Sequence, residues 1–360
     1  MGDYSRYISP SRRPVPAPER LVGRDGRCVF GTFEDEFFSM DLTSAHRPTA
    51  APQFMNRLRL TLWEACEVCF KEGILLTGVC NMGAFGVVVS VFYDKRTCRA
   101  YQWSSNTVSR MAAIAPNLLG GSVTEGRSKD GYVRYVNDFG GGRCSVGGKL
   151  RDKTGRSIEY GYKLSRISKP SVVSIPFGAN RPLYSQKDFF RAEGSVTVNG
   201  ETFKSDGDTV AIIDDHRGYY PRRAHYDWVT AMGRCQQQGG TKFAAVNLTR
   251  NQSVDQEKYN ENLLWLEGRA SPLPPVKFTR SVDSADAFGK AVWMVRDEHD
   301  MVNVVFTSRD MTSTVAHAIV VDIDYYIAFG EVRGYVRDED GTKYVLDGMP
   351  GIGEDKSLLF

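Results

Sequence analysis

Gly194-Ser195-Val196-Thr197-Val198, then Asn199-Gly200, then Glu201-Thr202-Phe203, reads as two short strands joined by a two-residue turn. Asn-Gly supplies the two positive φ angles that a type I′ turn requires, so the segment predicts an antiparallel hairpin. The pattern repeats on both sides of it. Strands are expected at Leu58–Leu62, Ile74–Val79, Phe85–Tyr93, Tyr132–Val136, Ser157–Leu164 and Phe189–Val198. After the middle of the chain they are expected at Phe243–Leu248, Asn262–Leu266, Val276–Arg280, Ala291–Val295, Val302–Thr307, Tyr325–Arg337 and Tyr344–Leu346. Short strands separated by Gly, Asn and Asp turns predict an all-β chain of antiparallel barrels or sandwiches with few short helices. Helical periodicity is confined to Thr107–Leu119 and Tyr226–Met232.

The chain of 360 residues is long for one domain and comfortable for two. The expected division is an arm over 1–20, a first β-domain over 21–170 and a second over 171–360. The arm places Arg6, Arg12, Arg13 and Arg20 among four prolines, which remove donors and fix φ. It reads as an extended segment, either a disordered tail or a basic arm lying on an acidic protein assembly. A net charge of +3 does not indicate nucleic-acid binding. No run of about 18 apolar residues marks a membrane span. Seven cysteines without an export signal are expected as free thiols, which suggests a cytoplasmic protein, with cytoskeletal association as one form of the assembly reading.

Most chemical motifs fail on context. Cys66-x-x-Cys69 lies in a strand pattern that sends its two thiols to opposite faces, so no metal is assigned. Gly140-Gly141-Gly142 and Gly147-Gly148-Lys149 lack phosphate-loop spacing and read as hairpin turns. The five histidines, His46, His216, His225, His299 and His317, are not at metal-ligand spacing, and no cofactor is expected. One stretch remains. Between Asp214 and Trp228 fall three Asp, three Arg, two His and four large aromatic rings. Asp215 and His216 read as an acid/base pair with Arg222 or Arg223 binding an oxyanion. The alternative is an ion-pair cluster in which Arg222 or Arg223 holds Asp214 or Asp215 and pins the loop.

The string Asp214-x-x-x-Gly218-Tyr219-Tyr220-Pro221-Arg222-Arg223, followed by Trp228, Gly240 and Asn247, resembles the family catalogued as domain of unknown function 2804. Leu60-x-x-Trp63-Glu64, Asn260-Glu261-Asn262 and Gly330-x-x-x-Gly334 agree with its flanking segments, and the likeness runs from about Glu19 to Leu346. Where members carry W-x-W before Trp228, this chain has Tyr226. The resemblance implies paired lipocalin-like barrels, as in carotenoid hydratases and related cyclases, and it transfers no catalytic residue. Three functions are therefore expected as alternatives: binding of an apolar small molecule or lipid without catalysis, a structural subunit docked through the arm, or a cofactor-independent isomerase, hydratase or cyclase.

Overall fold

The computed structural model describes residues 2–237, 239–281, 291–317 and 322–359, and for Ala316, His317 and Asp322 the backbone alone. It is all-β, with two large antiparallel sheets and a single short α-helix, Asn56–Arg59, among the described residues. Among the described residues no helix is long and apolar enough to cross a membrane. The chain forms two compact units. The first comprises Val15–Arg96 and Tyr101–Tyr220, and the second Met1–Pro14, Thr97–Ala100 and Pro221–Phe360.

In the first unit, Val210–Gly218 is a central strand, paired with Thr61–Cys69 on one side and Pro182–Val198 on the other. Beyond Thr61–Cys69 come Gly73–Asn81 and Phe85–Asp94. Beyond Pro182–Val198 come Ser157–Arg166, Arg143–Arg151, Gly131–Asp138, Ser122–Ser128 and Ala112–Ala113. The sheet curls nearly into a barrel. Asn81 Nδ2 donates to the carbonyls of Ser109 and Ala112, at 3.1 and 2.9 Å, so the last strand returns to an early one. Val68, Leu75, Val88, Phe92, Phe190 and Ile213 are among the side chains that fill the interior.

The second unit is built on Arg223–Gln237, paired with Gly240–Arg250 and with Met349–Leu359. Met349–Leu359 in turn pairs with Asp322–Arg337, which pairs with Val302–His317. Trp265, Trp293, Val304 and Phe306 are fully buried in this sheet's structure.

The hairpin at Val198–Glu201 forms as expected, with φ of 50° at Asn199 and 91° at Gly200. Other expectations are corrected. The division does not fall near 170, because Ser171–Pro176 pairs with the same long strand that carries Ser157–Arg166 and Val210–Gly218. A cut there would split one sheet. The Thr107–Leu119 helix is a 3₁₀ turn at Ser109–Met111 and a short strand, its carbonyls taken by Asn81. Tyr226–Met232 is strand, buried on both faces from Asp227 onward, so no alternation marked it. Leu58 lies in the helical turn and is exposed. Gly140–Gly142 is a turn, with φ of 67° at Gly142, but Gly147-Gly148 is the middle of a strand. A Cβ at Gly148 would overlap the Tyr160 hydroxyl.

The N-terminal arm is not a free tail. Ser5–Tyr7 and Pro10–Arg12 form 3₁₀ turns, Ile8 enters the second unit's core, and Arg12 is buried. The Arg12 guanidinium donates to the carbonyls of Asn260 and, at 2.8 Å, Asn262. Arg12 is thus unavailable to a partner, whereas Arg6, Arg13 and Arg20 are exposed.

Candidate functional site

All nine residues of Val210–Gly218 are buried, although four in succession are Asp214, Asp215, His216 and Arg217. Successive side chains of a strand point to opposite faces. Asp214 and His216 therefore share one face, and Asp215 and Arg217 the other. The Asp215–His216 pair expected from their adjacency does not form.

On the first face Asp214 is a bridge. Lys187 Nζ lies 2.5 Å from its Oδ2, and His216 Nε2 lies 3.0 Å from its Oδ1. Register explains the first contact, since Lys187 is directly opposite Asp214 across the sheet. Burial alone would raise the Asp214 carboxyl, but the charges of His216 and Lys187 and their hydrogen bonds outweigh it, and the carboxyl is held below its usual range. Trp63, opposite His216 in the neighbouring strand, stacks on the imidazole with ring centroids 4.7 Å apart. Tyr220 stacks on Trp63 at 5.7 Å, and Phe177 meets Tyr220 edge-on at 5.8 Å. A buried Asp thus lies against a histidine that sits at the end of an aromatic wall.

The opposite face is a closed polar layer. Arg217 donates from Nε and Nη2 to both oxygens of Asp215, at 2.7 and 2.9 Å, and from Nη1 to the Pro116 carbonyl. Glu64, opposite Asp215, accepts from Asn137 Nδ2 at 3.2 Å. Burial and the Asp215 charge push its carboxyl up to about 8, with Thr124, Asn137 and Arg217 acting the other way. Nearby, Asp188 accepts from Gln186 and pairs with Arg166, and burial pushes it up to about 7 against the Arg166 charge. These groups are held against one another inside the sheet, and their geometry is that of a brace.

The remaining motif residues have structural assignments. A Cβ at Gly218 would come 2.9 Å from the Pro182 carbonyl oxygen. Tyr219 donates its hydroxyl to the Leu42 carbonyl at 3.0 Å. In the second unit Trp228 Nε1 donates to Asn247 Oδ1 at 2.6 Å, and Asn247 Nδ2 donates to the Glu261 carbonyl. The motif therefore divides at Tyr220–Pro221, with a part in each unit. Arg222 and Arg223 are exposed, and the cations that hold Asp214 and Asp215 are Lys187 and Arg217. This corrects the expected loop pairing. Lys187 went unread because a partner 27 residues away in sequence is set by register; Trp63 lay in the recognised Trp63-Glu64 segment without a role.

Among the described residues a cavity of about 800 Å³ is lined by Glu125, Arg127, Tyr132, Arg134, Lys163 and Glu193 with their neighbours, and not by His216 or Asp215. Cys66 and Cys69 are buried free thiols within one strand. The His317 side chain lies outside the described residues.

An all-β chain of two antiparallel sheets, with a charged central strand and a Trp–Asn brace, is the class these features define. The chain belongs to the family described as domain of unknown function (DUF2804), which it matches over residues 12–360. No curated protein matches it. Among solved structures, kievitone hydratase from Nectria haematococca is similar at 11% identity, covering 83% of this chain and 88% of that one, with a TM-score of 0.43. A structure of CghA is similar at 10% identity, covering 84% and 88%, with a TM-score of 0.46. A structure of CghA with Sch210972 is similar at 11% identity, covering 100% and 97%, with a TM-score of 0.49. Likenesses this slight carry no argument about activity or site.

Proposed function

We propose that the protein is a cofactor-independent acid–base enzyme that moves a proton on an apolar small molecule at His216. One observation carries the reading: His216 Nε2 lies 3.0 Å from the buried Asp214 carboxylate, which Lys187 also contacts. A carboxylate at one ring nitrogen fixes the imidazole's orientation and supports the charge it acquires on taking a proton. Trp63, Tyr220 and Phe177 supply the apolar, flat surface beside it.

The chemistry balances without a redox partner. His216 removes a proton from carbon next to a carbonyl and returns it at another atom, which is an isomerisation. With water, or a nucleophile within the substrate, the same acid–base pair serves hydration or cyclisation. Binding of an apolar molecule at this wall without turnover is the rival reading. Docking on an acidic assembly through residues 1–20 would have to rely on Arg6, Arg13 and Arg20, since Arg12 is committed within the chain.

The test is deuterium wash-in from D₂O into a panel of apolar enolisable ketones. Exchange that depends on His216 supports the proposal. Saturable binding without exchange above the buffer rate would favour the rival and overturn it.

A further inference from the structure

A second constellation lies wholly within the second unit. The strands Arg223–Gln237 and Met349–Leu359 place His225 opposite Ser357 and Asp227 opposite Asp355, so all four share one face. His225 Nδ1 is 3.0 Å from Ser357 Oγ, and His225 Nε2 is 3.5 Å from Asp227 Oδ2. Asp355 Oδ1 stands 3.6 Å from Nδ1. The Arg280 guanidinium contacts Asp227 and, at 2.8 Å, Asp355. That cation bridges the two carboxylates and takes one oxygen of each, so His225, Asp227 and Asp355 are not read as metal ligands. His225 is half exposed and Ser357 partly so, which leaves the pair open to a reactant.

We propose that Ser357, His225 and Asp227 form a separate catalytic site that hydrolyses small carboxylic esters. The roles follow from the order of contacts: a hydroxyl on one ring nitrogen of a histidine, a carboxylate on the other. His225 Nδ1 takes the Ser357 proton as Oγ bonds to the ester carbonyl carbon. Collapse of the tetrahedral intermediate breaks the bond to the alcohol, which leaves with that proton. Water then gives a proton to His225 and attacks the acyl carbon, and the acid departs as Ser357 regains its proton. Asp227 positions the ring.

The electrostatics agree with this assignment. Burial lowers the His225 pKa from its usual 6.5, and Arg280 and Arg250 add to that effect against the opposing charge of Asp355. The ring is thus a free base at neutral pH. The other charged groups with register partners on this face are Asp324, opposite Ser357, Arg250, opposite Asp227, and Arg223, opposite Leu359.

The experiment uses the full chain with p-nitrophenyl acetate. The expected result is a burst of nitrophenolate, an acetyl group on the Ser357 peptide by mass spectrometry, and a rate that rises through a pH below 6.5. Ser357→Ala and His225→Ala should each lower hydrolysis by about 100-fold or more. Asp227→Asn should lower kcat with KM little changed. Hydrolysis by Ser357→Ala at the parent rate, or acetylation confined to other residues of the parent protein, would overturn the proposal. The adduct on the parent chain keeps the test valid should a variant fold poorly.

Discussion

His216 and Asp214 lie 3.0 Å apart on one face of a strand, while Asp215, between them in sequence, turns away to Arg217. The charged run Asp214–Arg217 is therefore two devices rather than one. On one face a carboxylate lies against a histidine, and on the other an ion pair is locked into a buried polar layer. The two make separable demands on mutation.

The Asp215–Arg217 pair should matter to stability. Both side chains are almost wholly buried, so Arg217→Ala leaves an uncompensated carboxylate, at a cost of roughly 3–5 kcal/mol. Arg222→Ala and Arg223→Ala, at exposed positions, should stay within about 0.5 kcal/mol of the parent. Urea unfolding of the three variants distinguishes them. Equal midpoints would contradict the brace.

Stability should fall as pH rises across neutrality. Glu64 is pushed up to about 8 from 4.5, and Asp188 to about 7 from 3.8. The folded chain therefore holds protons that the unfolded chain has released. Their contribution is fully present below the unfolded values and is lost as pH rises through about 7 and 8. Asp214 has the opposite sign, because its lowered pKa makes stability fall in acid below about 3.8. The unfolding free energy from pH 5 to 9 should decline, by an amount on the order of a few kcal/mol, and Glu64→Gln should flatten the upper part. A rising or level profile in the parent protein would count against these assignments.

The N-terminal arm should behave as part of the second unit's fold. Arg12→Ala leaves the buried carbonyls of Asn260 and Asn262 without those donors, at a cost of about 1–3 kcal/mol. Arg6→Ala and Arg13→Ala should have little effect. Limited proteolysis offers a direct view, since the Arg12 variant should be clipped near its N-terminus at protease concentrations the parent resists.

Much of the fold was legible in the sequence. Period-two alternation and turns such as Asn199-Gly200 report local backbone preference, and that information is complete within a few residues. The division at Tyr220–Pro221 was not legible, because the long strand Pro182–Val198 draws Ser157–Arg166 and Val210–Gly218 into one sheet through pairings over many residues. Arg12 misled for a related reason. A prolyl, basic segment carries the composition of a solvated tail, and nothing local announces two carbonyls about 250 residues away. The site was visible as a density of charge at Asp214–Trp228, yet its pairing was misread. Adjacent residues look like partners in a string, whereas a strand sends them to opposite faces. The contacts of Lys187 with Asp214 and of Trp63 with His216 depend on strand register, which no local pattern carries.

The central claim is that His216 performs proton transfer rather than merely packing on Trp63. His216→Ala leaves Asp214 compensated by Lys187, so the variant should still fold, with the lost packing of the buried ring on Trp63 as its stability cost. Deuterium wash-in from D₂O, measured for parent and variant with the same ketone panel and confirmed folded by circular dichroism, is the most direct test. Exchange by the parent is expected, with a loss of about 100-fold or more in the variant. Exchange by His216→Ala at the parent rate, or none by the folded parent with any member of the panel, would contradict it.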